Sequence, residues 1–284
     1  MRPFPFILLF VLIFGCAQPE AGPSTEAPDE ELPPAAETPE ANQTPSAGQP
    51  GEEQEVPEEP ETTLESEEIA YSSSGWEIHA TLYPAENKNN PTRIVFLLPM
   101  LGEDRSSYPP DFIEELHDEI PEAIVLAVDT RGHGESTNLK SWEDMNSFEF
   151  KAMQNDVIDG IRYLEDRYPT ADEYYVVGAS IGSTAAILAG ARERGITKVA
   201  MLSPGMEYKD VSIESAVDEY QRPLLLVAGS QDAYSVEAID DIGELSSSDI
   251  TRKIYQGQEH GTGLFQATEN EPEPLDSLIV DFLK

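Results

Sequence analysis

A serine in the middle of the chain has the surroundings that turn a hydroxyl into a nucleophile. Ser180 is the centre of a Gly-x-Ser-x-Gly pentapeptide, residues 178–182, which follows the apolar run 174–177 and precedes a run of small residues. This order predicts a strand that turns sharply into a helix and exposes the serine at the corner. An ordinary turn, with the serine as a helix cap, is the alternative. Since a serine hydroxyl is a poor nucleophile by itself, the chemistry also requires a base and donors that stabilise an oxyanion.

Two later residues complete a candidate catalytic triad. Asp232 comes just after the strand-like run 223–229, and His260 lies in a glycine-flanked loop after the strand-like run 252–255. Both therefore follow predicted strand ends, where short loops can hold side chains in place. We expect His260 to act as the general base for Ser180, and Asp232 to orient the imidazole and stabilise its protonated form.

The chain offers few other candidates for these two roles. His79 falls on an amphipathic strand, His117 on the polar side of a helix, and His133 in an Arg-Gly-His-Gly turn, and each position favours a structural role. Two alternatives stay open for the acid. Asp232 could be a plain helix cap, and Glu207, after the preceding strand, could orient the base instead.

Two further segments extend the pattern. Residues 97–108 have the sequence Leu-Leu-Pro-Met-Leu-Gly-Glu-Asp-Arg-Ser-Ser-Tyr, and residues 129–136 have the sequence Asp-Thr-Arg-Gly-His-Gly-Glu-Ser. The first resembles the oxyanion loop of α/β-hydrolases of the serine esterase and lipase kind, and the second resembles the turn after their next strand. Residues 69–284 as a whole resemble this family, in which the triad also occurs in the order Ser, Asp, His. The resemblance implies a serine hydrolase that cleaves a carboxylic ester, or a related acyl bond, through an acyl-enzyme.

The resemblance also implies where the oxyanion donors lie. The backbone N–H of Ile181, directly after the nucleophile, is one donor, and by position the N–H of Leu101 is the other. Met100 is a neighbouring candidate. Pro99 is excluded because proline has no backbone N–H.

Strand-like and helix-like segments alternate along residues 69–284. Several of the strands are apolar on both faces, which predicts a mostly parallel sheet covered by helices on both sides, as in the α/β-hydrolase fold. Only about twenty residues separate Ser203 from Arg222, so little or no cap domain is expected. The predicted strands are 69–71, 76–83, 94–98, 123–128, 174–177, 198–202, 224–228 and 252–255, and the predicted helices are 110–119, 148–167, 183–193, 213–220, 236–245 and 275–283.

Residues 1–16 have the pattern of an export signal. A short basic head precedes residues 4–14, which are apolar apart from one proline and too few for a membrane-spanning helix of about 20 residues. The small residue before Cys16, the only cysteine of the chain, resembles the lipobox of bacterial lipoproteins. That resemblance implies cleavage before Cys16 and attachment of a lipid there. The alternative is a conventional signal cleaved near Ala17, which would release a soluble protein.

Residues 17–68 differ in composition from everything around them. They contain ten prolines and sixteen acidic residues, and no Lys, Arg, Phe, Tyr or Trp. Such a segment buries too little apolar surface to offset its ordering entropy, which predicts a disordered acidic linker with a reach of roughly 40 Å. With a lipid on Cys16 the linker would tether an extracytoplasmic enzyme to the cell envelope. Ala17 after the cysteine favours the outer membrane by the same resemblance.

The charge and the motifs of residues 69–284 limit the classes of function that these residues can have. Thirty-nine acidic residues against sixteen basic ones give a formal charge of −23, which repels phosphates, so no nucleic-acid partner is expected. The expected partner is a small acyl-ester substrate, the motifs imply no metal or cofactor, and nothing in them predicts an oligomeric state. Two rival functions stay open: a peptidase, thioesterase or cofactor-free haloperoxidase on the same scaffold, and a non-catalytic surface module that binds an apolar ligand or a partner.

Overall fold

The computed structural model of the protein describes residues 64–87 and 90–284. The predicted export signal, Cys16 and nearly all of the acidic linker lie outside the described residues, and the expectations about them stay predictions. Within the described part of the chain, no helix combines the length and the apolar character needed to cross a membrane.

A central sheet of eight strands carries the domain. Its strands are β1 (Glu67–Ser73), β2 (Trp76–Tyr83), β3 (Arg93–Leu98), β4 (Ala123–Val128), β5 (Glu173–Ala179), β6 (Ile196–Leu202), β9 (Leu224–Gly229) and β10 (Ile250–Tyr255), and β7 (Glu207–Tyr208) and β8 (Val211–Ser212) form a separate small hairpin. The strand order is β1-β2-β4-β3-β5-β6-β9-β10. Strand β2 pairs antiparallel with both β1 and β4, and all other pairs in the sheet are parallel.

Helices cover both faces of this sheet. They are α1 (Pro110–Glu119), α2 (Ser147–Lys151), α3 (Gln154–Arg167), α4 (Ile181–Arg192), α5 (Glu214–Glu219), α6 (Ala233–Leu245), α7 (Gly263–Thr268) and α8 (Leu275–Leu283). Apolar side chains of α1, α7 and α8 form one buried layer, and those of α3 to α6 form the other. The central strands β4 and β9 are buried along their whole length, as parallel strands between two helical layers must be. The predicted fold class is confirmed.

The structure differs from the sequence-based elements in one helix break, in two additional elements and in the ends of several elements, which lie up to three residues from their predicted positions. The single helix predicted over 148–167 is two helices, α2 and α3. Asn146 begins α2 in a capping box with Glu149, and the chain turns at Ala152 and Met153, where the Met153 N–H donates to Phe150 O, three residues back, at 3.1 Å. Helix α7 and the β7–β8 hairpin have no counterpart among the predicted elements. Strand β1 begins at Glu67, two residues before the predicted strand.

The segment between β6 and β9 is short. Between β6 and β9 the chain forms only the β7–β8 hairpin and the six-residue helix α5. This agrees with the expectation of little or no cap domain. The carboxyl ends of β5, β6 and β9 are therefore covered by a few residues only.

A buried ion pair fastens the turn after β4 to helix α3. The Arg131 guanidinium donates to the Asp156 carboxylate at 2.5 and 3.1 Å, the Arg131 backbone N–H donates to it at 3.0 Å, and Arg131 also donates to Ser73 Oγ at 3.1 Å. Burial raises the pKa of Asp156, although hydrogen bonds and charge from Arg131 act in the opposite direction. The pair thus joins the β1 end, the β4 turn and α3 in the interior.

Removal of one member of this pair should strongly destabilise the protein. In Asp156→Ala the Arg131 charge stays buried without its partner, and we expect the free energy of unfolding to fall by about 3–5 kcal/mol in urea denaturation. The matched control is Arg162→Ala, which breaks the exposed pair with Asp159 and should cost less than about 1 kcal/mol. Equal losses in the two variants would contradict this account.

Candidate active site

Ser180 lies in a strained corner between β5 and α4. Its backbone angles are φ 51° and ψ −114°, a conformation that non-glycine residues rarely adopt. The corner is closed by Ser180 N–H donating to Leu202 O at 2.8 Å and by Ser183 Oγ donating to Ser180 O at 2.6 Å. The predicted strand-to-helix corner at the pentapeptide is therefore present in the structure.

The glycines of the pentapeptide are required by close backbone contacts. A Cβ at Gly178 would overlap the carbonyl of Gly182 across the corner. A Cβ at Gly182 would lie 2.6 Å from the carbonyl oxygens of both Leu98 and Pro99. The first turn of α4 is thus packed directly on the chain that leaves β3, which is the segment predicted to hold the oxyanion donor.

Asp232 and His260 form a hydrogen-bonded pair. His260 Nδ1 lies 2.6 Å from Asp232 Oδ2, and Asp232 Oδ1 accepts the backbone N–H of Ser235 at 3.3 Å. Burial acts to raise the pKa of Asp232, but hydrogen bonds with Ser235 and His260 outweigh it and hold that pKa below its ordinary value. A carboxylate on Nδ1 fixes the imidazole tautomer that presents Nε2 as the proton acceptor.

The loop of His260 packs beside the nucleophile corner. A Cβ at Gly261 would lie 3.5 Å from Ala179 Cβ and 2.7 Å from Met100 Sδ, and the Gly261 N–H donates to Ser203 Oγ at 2.9 Å. The structure therefore brings the base loop, the residue before Ser180 and the predicted oxyanion loop together. No hydrogen bond joins Ser180 Oγ to His260 among those of the described residues, and the predicted role of each triad member stays a prediction.

Hydrogen bonds and an ion pair join the predicted oxyanion loop to the turn after β4. The buried Asp129 carboxylate accepts the backbone N–H groups of Arg105 and Glu135 at 2.7 and 2.8 Å and pairs with the Arg105 guanidinium. Within the described part of the chain, the N–H groups of Met100 and Leu101 donate no hydrogen bond. The roles predicted for Leu101 and Ile181 stay predictions, and the structure places both on the segments that meet at Gly182.

The alternative residues lie in other environments. His79 contacts Glu77 at 3.2 Å on the surface, and His133 is buried with Nδ1 3.0 Å from Arg131 O. The prediction for His117 is wrong in one respect, because this side chain is buried rather than on a polar face. Glu207 is exposed on the β7–β8 hairpin. Among the described residues, no three His, Cys, Asp or Glu side chains are arranged to hold a metal ion.

The sequence reasoning missed one side chain at this site. Tyr208, on the β7–β8 hairpin, donates its hydroxyl to Ser203 O at 3.1 Å, and the Oγ of the same Ser203 accepts the N–H of Gly261 in the His260 loop. The sequence held one signal for such a residue. Because no cap was expected, the short segment between β6 and β9 was the part of the chain that could supply further side chains near the site. No periodicity identified Tyr208, because a two-residue strand is too short to show one.

A family model of known proteins matches the central part of the chain. The family model described as serine aminopeptidase, S33, matches residues 89–216. This segment includes the predicted oxyanion loop, the turn after β4 and the Ser180 corner. No curated protein sequence matches the chain significantly.

Solved structures with the same fold include several esterases. The Pyrococcus furiosus esterase Pf2001 is 18% identical, with a TM-score of 0.62 over 78% of this chain and 92% of its own. A thermostable carboxyl esterase from Bacillus coagulans is 15% identical, with a TM-score of 0.62 over 78% and 98%. Est1E from Butyrivibrio proteoclasticus with bound ferulic acid is 18% identical, with a TM-score of 0.60 over 76% and 97%.

The chain has the α/β-hydrolase fold. The family resemblance drawn from residues 97–108 and 129–136 is confirmed, and so is the fold that it implied. The covered share of the neighbours' chains also shows that the fold is present nearly in full.

A single methyl group at position 182 should disturb this site. In Gly182→Ala the new Cβ meets two backbone carbonyls that cannot move aside, so α4 must shift away from the β3 exit. We expect a loss of about 1–3 kcal/mol in the free energy of unfolding, measured by urea denaturation.

The matched control for this substitution is Gly243→Ala. Gly243 is an exposed glycine of α6 with only the Arg252 side chain near the added methyl. Its substitution should stabilise the protein by about 0.5–1 kcal/mol through helix propensity. A Gly182→Ala protein as stable as the wild type would refute the close-approach explanation.

Proposed function

We propose that the protein is a serine hydrolase that cleaves carboxylic esters through an acyl-enzyme. Ser180 is the nucleophile, His260 the general base and Asp232 the orienting acid. The observation that carries the proposal is the Asp232–His260 pair at 2.6 Å, on a loop packed against the strained Ser180 corner. A histidine base that is held by a carboxylate and lies near a serine is the arrangement that acyl transfer requires.

The acylation step follows from these positions. His260 Nε2 takes the proton from Ser180 Oγ as that oxygen attacks the ester carbonyl and forms the tetrahedral intermediate. The backbone N–H groups of Leu101 and Ile181 donate to the oxyanion. The imidazolium, held by the Asp232 carboxylate, then gives its proton to the leaving alcohol as the carbon–oxygen bond breaks.

In deacylation, water hydrolyses the acyl-enzyme by the same steps in reverse order. His260 removes a proton from a water molecule that attacks the acyl carbon, and the same two N–H groups stabilise the second oxyanion. The proton returns to Ser180 Oγ as the carboxylic acid leaves. The low pKa of Asp232 keeps this side chain ionised through both steps, so that it can stabilise the imidazolium.

Three observations support an ester as the substrate. The Pyrococcus and Bacillus neighbours are named as esterases, and Est1E is solved with ferulic acid. Ser180 is 7% exposed and the His260 side chain is 38% exposed. The site is therefore shallow, as expected without a cap. The acidic surface of the domain, at −23 over residues 69–284, disfavours polyanionic substrates.

An amide substrate is the second candidate, because the matching family model is named for serine aminopeptidases. The same triad performs both reactions, and the motifs do not separate them. A panel of substrates distinguishes the two reactions. Acyl esters, acyl thioesters and peptide amides are assayed side by side with the purified protein, and a preference for amides would replace the ester proposal.

Ser180→Ala should abolish turnover of the preferred substrate. Removal of a triad nucleophile lowers kcat by about three to six orders of magnitude, because the covalent step is lost. The variant should fold normally, with a melting temperature close to that of the wild type, since alanine fits wherever serine does. Undiminished ester hydrolysis by this variant would end the assignment.

The identity of the acid can be tested by a matched pair of substitutions. Asp232→Asn keeps the shape of the side chain but removes the charge that fixes the imidazole, and kcat should fall by about four orders of magnitude. Glu207→Gln makes the same chemical change at the alternative acid and should leave kcat unchanged, because Glu207 is exposed on the hairpin. If Glu207→Gln is the damaging substitution, the roles are exchanged.

A further inference from the structure

The end of strand β6 contacts both the nucleophile corner and the loop of the base. Leu202 O, on the last residue of β6, accepts the backbone N–H of Ser180 at 2.8 Å. The next residue, Ser203, accepts with its Oγ the backbone N–H of Gly261, which directly follows His260, at 2.9 Å. Two consecutive residues of one strand end therefore hold the proposed nucleophile and the loop of the proposed base.

The conformation of Ser203 is strained and fully determined by its surroundings. This residue is completely buried and has a left-handed backbone, with φ 49°, which residues other than glycine rarely adopt. Its N–H donates to Val227 O at 2.7 Å, and its carbonyl accepts the Tyr208 hydroxyl at 3.1 Å. Strain of this kind persists only where the surrounding structure imposes it, and it is concentrated at functional sites. The Ser203 hydroxyl therefore has a fixed position.

The other hydrogen bonds that tie the His260 loop to the sheet lead to the end of β9. Gly257 O accepts the backbone N–H of Gln231 at 2.8 Å, and His260 Nδ1 lies 2.6 Å from Asp232 Oδ2. Among the hydrogen bonds of the described residues, only the bond to Ser203 connects this loop to the end of β6. The base is thus joined to its acid by several contacts and to the nucleophile side by one.

We propose that Ser203 is a positioning residue for the base, whose Oγ holds the His260 loop at a fixed distance from Ser180. The proposal rests on the triad proposed above. The pair with Asp232 orients the imidazole but does not by itself fix its distance from the nucleophile, because Asp232 follows β9. The bond to Ser203 does so, because the same strand end carries the carbonyl that accepts the Ser180 N–H.

Removal of the Ser203 hydroxyl should displace the base. Gly261 is buried, so its N–H would be left without an acceptor in the interior, where an unpaired donor is costly. We expect the loop to shift toward another acceptor or toward water, and His260 Nε2 to move with it. A displacement of about 1 Å in a reacting group costs up to about 100-fold in rate.

The test compares two Ser203 variants with a matched control in the full-length protein. Ser203→Ala removes the hydroxyl and keeps the backbone strain, whereas Ser203→Gly removes both, because glycine accepts a left-handed conformation. The control is Thr268→Val. Thr268 is also buried, and its Oγ1 also accepts a backbone N–H, that of Leu275, at 3.0 Å. That contact joins α7 to α8 and includes no member of the triad.

The measured quantity is the second-order rate constant with which a fluorophosphonate modifies Ser180. The final extent of labelling gives the fraction of folded molecules, and the rate constant gives their reactivity. We expect a fall of about 10- to 100-fold for both Ser203 variants and a change of less than about threefold for Thr268→Val, in which the base stays in place.

Two further measurements separate positioning from stability. In ester hydrolysis both Ser203 variants should lower kcat with KM within about twofold, since the base acts on the chemical step and not on substrate binding. The melting temperature of Ser203→Gly should exceed that of Ser203→Ala, because glycine relieves the strain, although the two rate constants fall alike.

Every other outcome overturns the proposal. Wild-type reactivity in Ser203→Ala does so and leaves the triad proposal standing. Recovery in Ser203→Gly alone would show that backbone strain, and not the hydroxyl, controls the rate. An equal loss in Thr268→Val, a raised KM with kcat unchanged, or Ser203 variants that do not fold would assign the hydroxyl to packing or to substrate binding. Failure of the wild-type protein itself to react refutes the triad, and the role of Ser203 with it.

Discussion

The arrangement of the site depends on one close backbone approach, that of helix α4 to the chain leaving β3. At Gly182 the helix backbone lies so near the carbonyls of Leu98 and Pro99 that no side chain fits between them. This contact forces the turn at Ser180 into a conformation that costs on the order of 1–3 kcal/mol for a residue other than glycine. The buried packing of α4 on both β5 and β6 supplies the compensation. The strained serine is therefore a consequence of how the helix is seated on the sheet.

Buried charges then fix the loops around that helix. Asp129, at the end of β4, accepts two backbone N–H groups and pairs with Arg105, which joins the loop after β3 to the turn after β4. Two residues further along the chain, Arg131 pairs with Asp156 on α3. Each of these carboxylates accepts at least three hydrogen bonds, as burial of a charge requires. These two ion pairs fix the loop after β3 and the turn after β4 next to the nucleophile.

Sequence alone predicted the parts of the fold that have long apolar runs. The strands around Ile94, Ala123 and Leu224 were found because continuous burial needs continuous apolar residues. The order of Ser180, Asp232 and His260 identified the candidate site because each follows a strand end. The break between α2 and α3 was missed, since apolar residues continue through Ala152 and Met153 and no glycine or proline marks the turn there. Tyr208 was missed because its burial comes from tertiary packing of a short hairpin.

The hairpin also explains how a site without a cap can remain organised. A helical cap would enclose the nucleophile with many side chains, whereas here the β7–β8 hairpin brings the Tyr208 phenol to Ser203 O and leaves the His260 side chain partly open to solvent. The hairpin needs little chain to do this, because Gly205 lets both Tyr208 and Tyr234 approach the backbone closely. Positioning of the nucleophile and access of the substrate are therefore separated. The close approach of α4 at Gly182 provides the first, and the shortness of the segment between β6 and β9 provides the second.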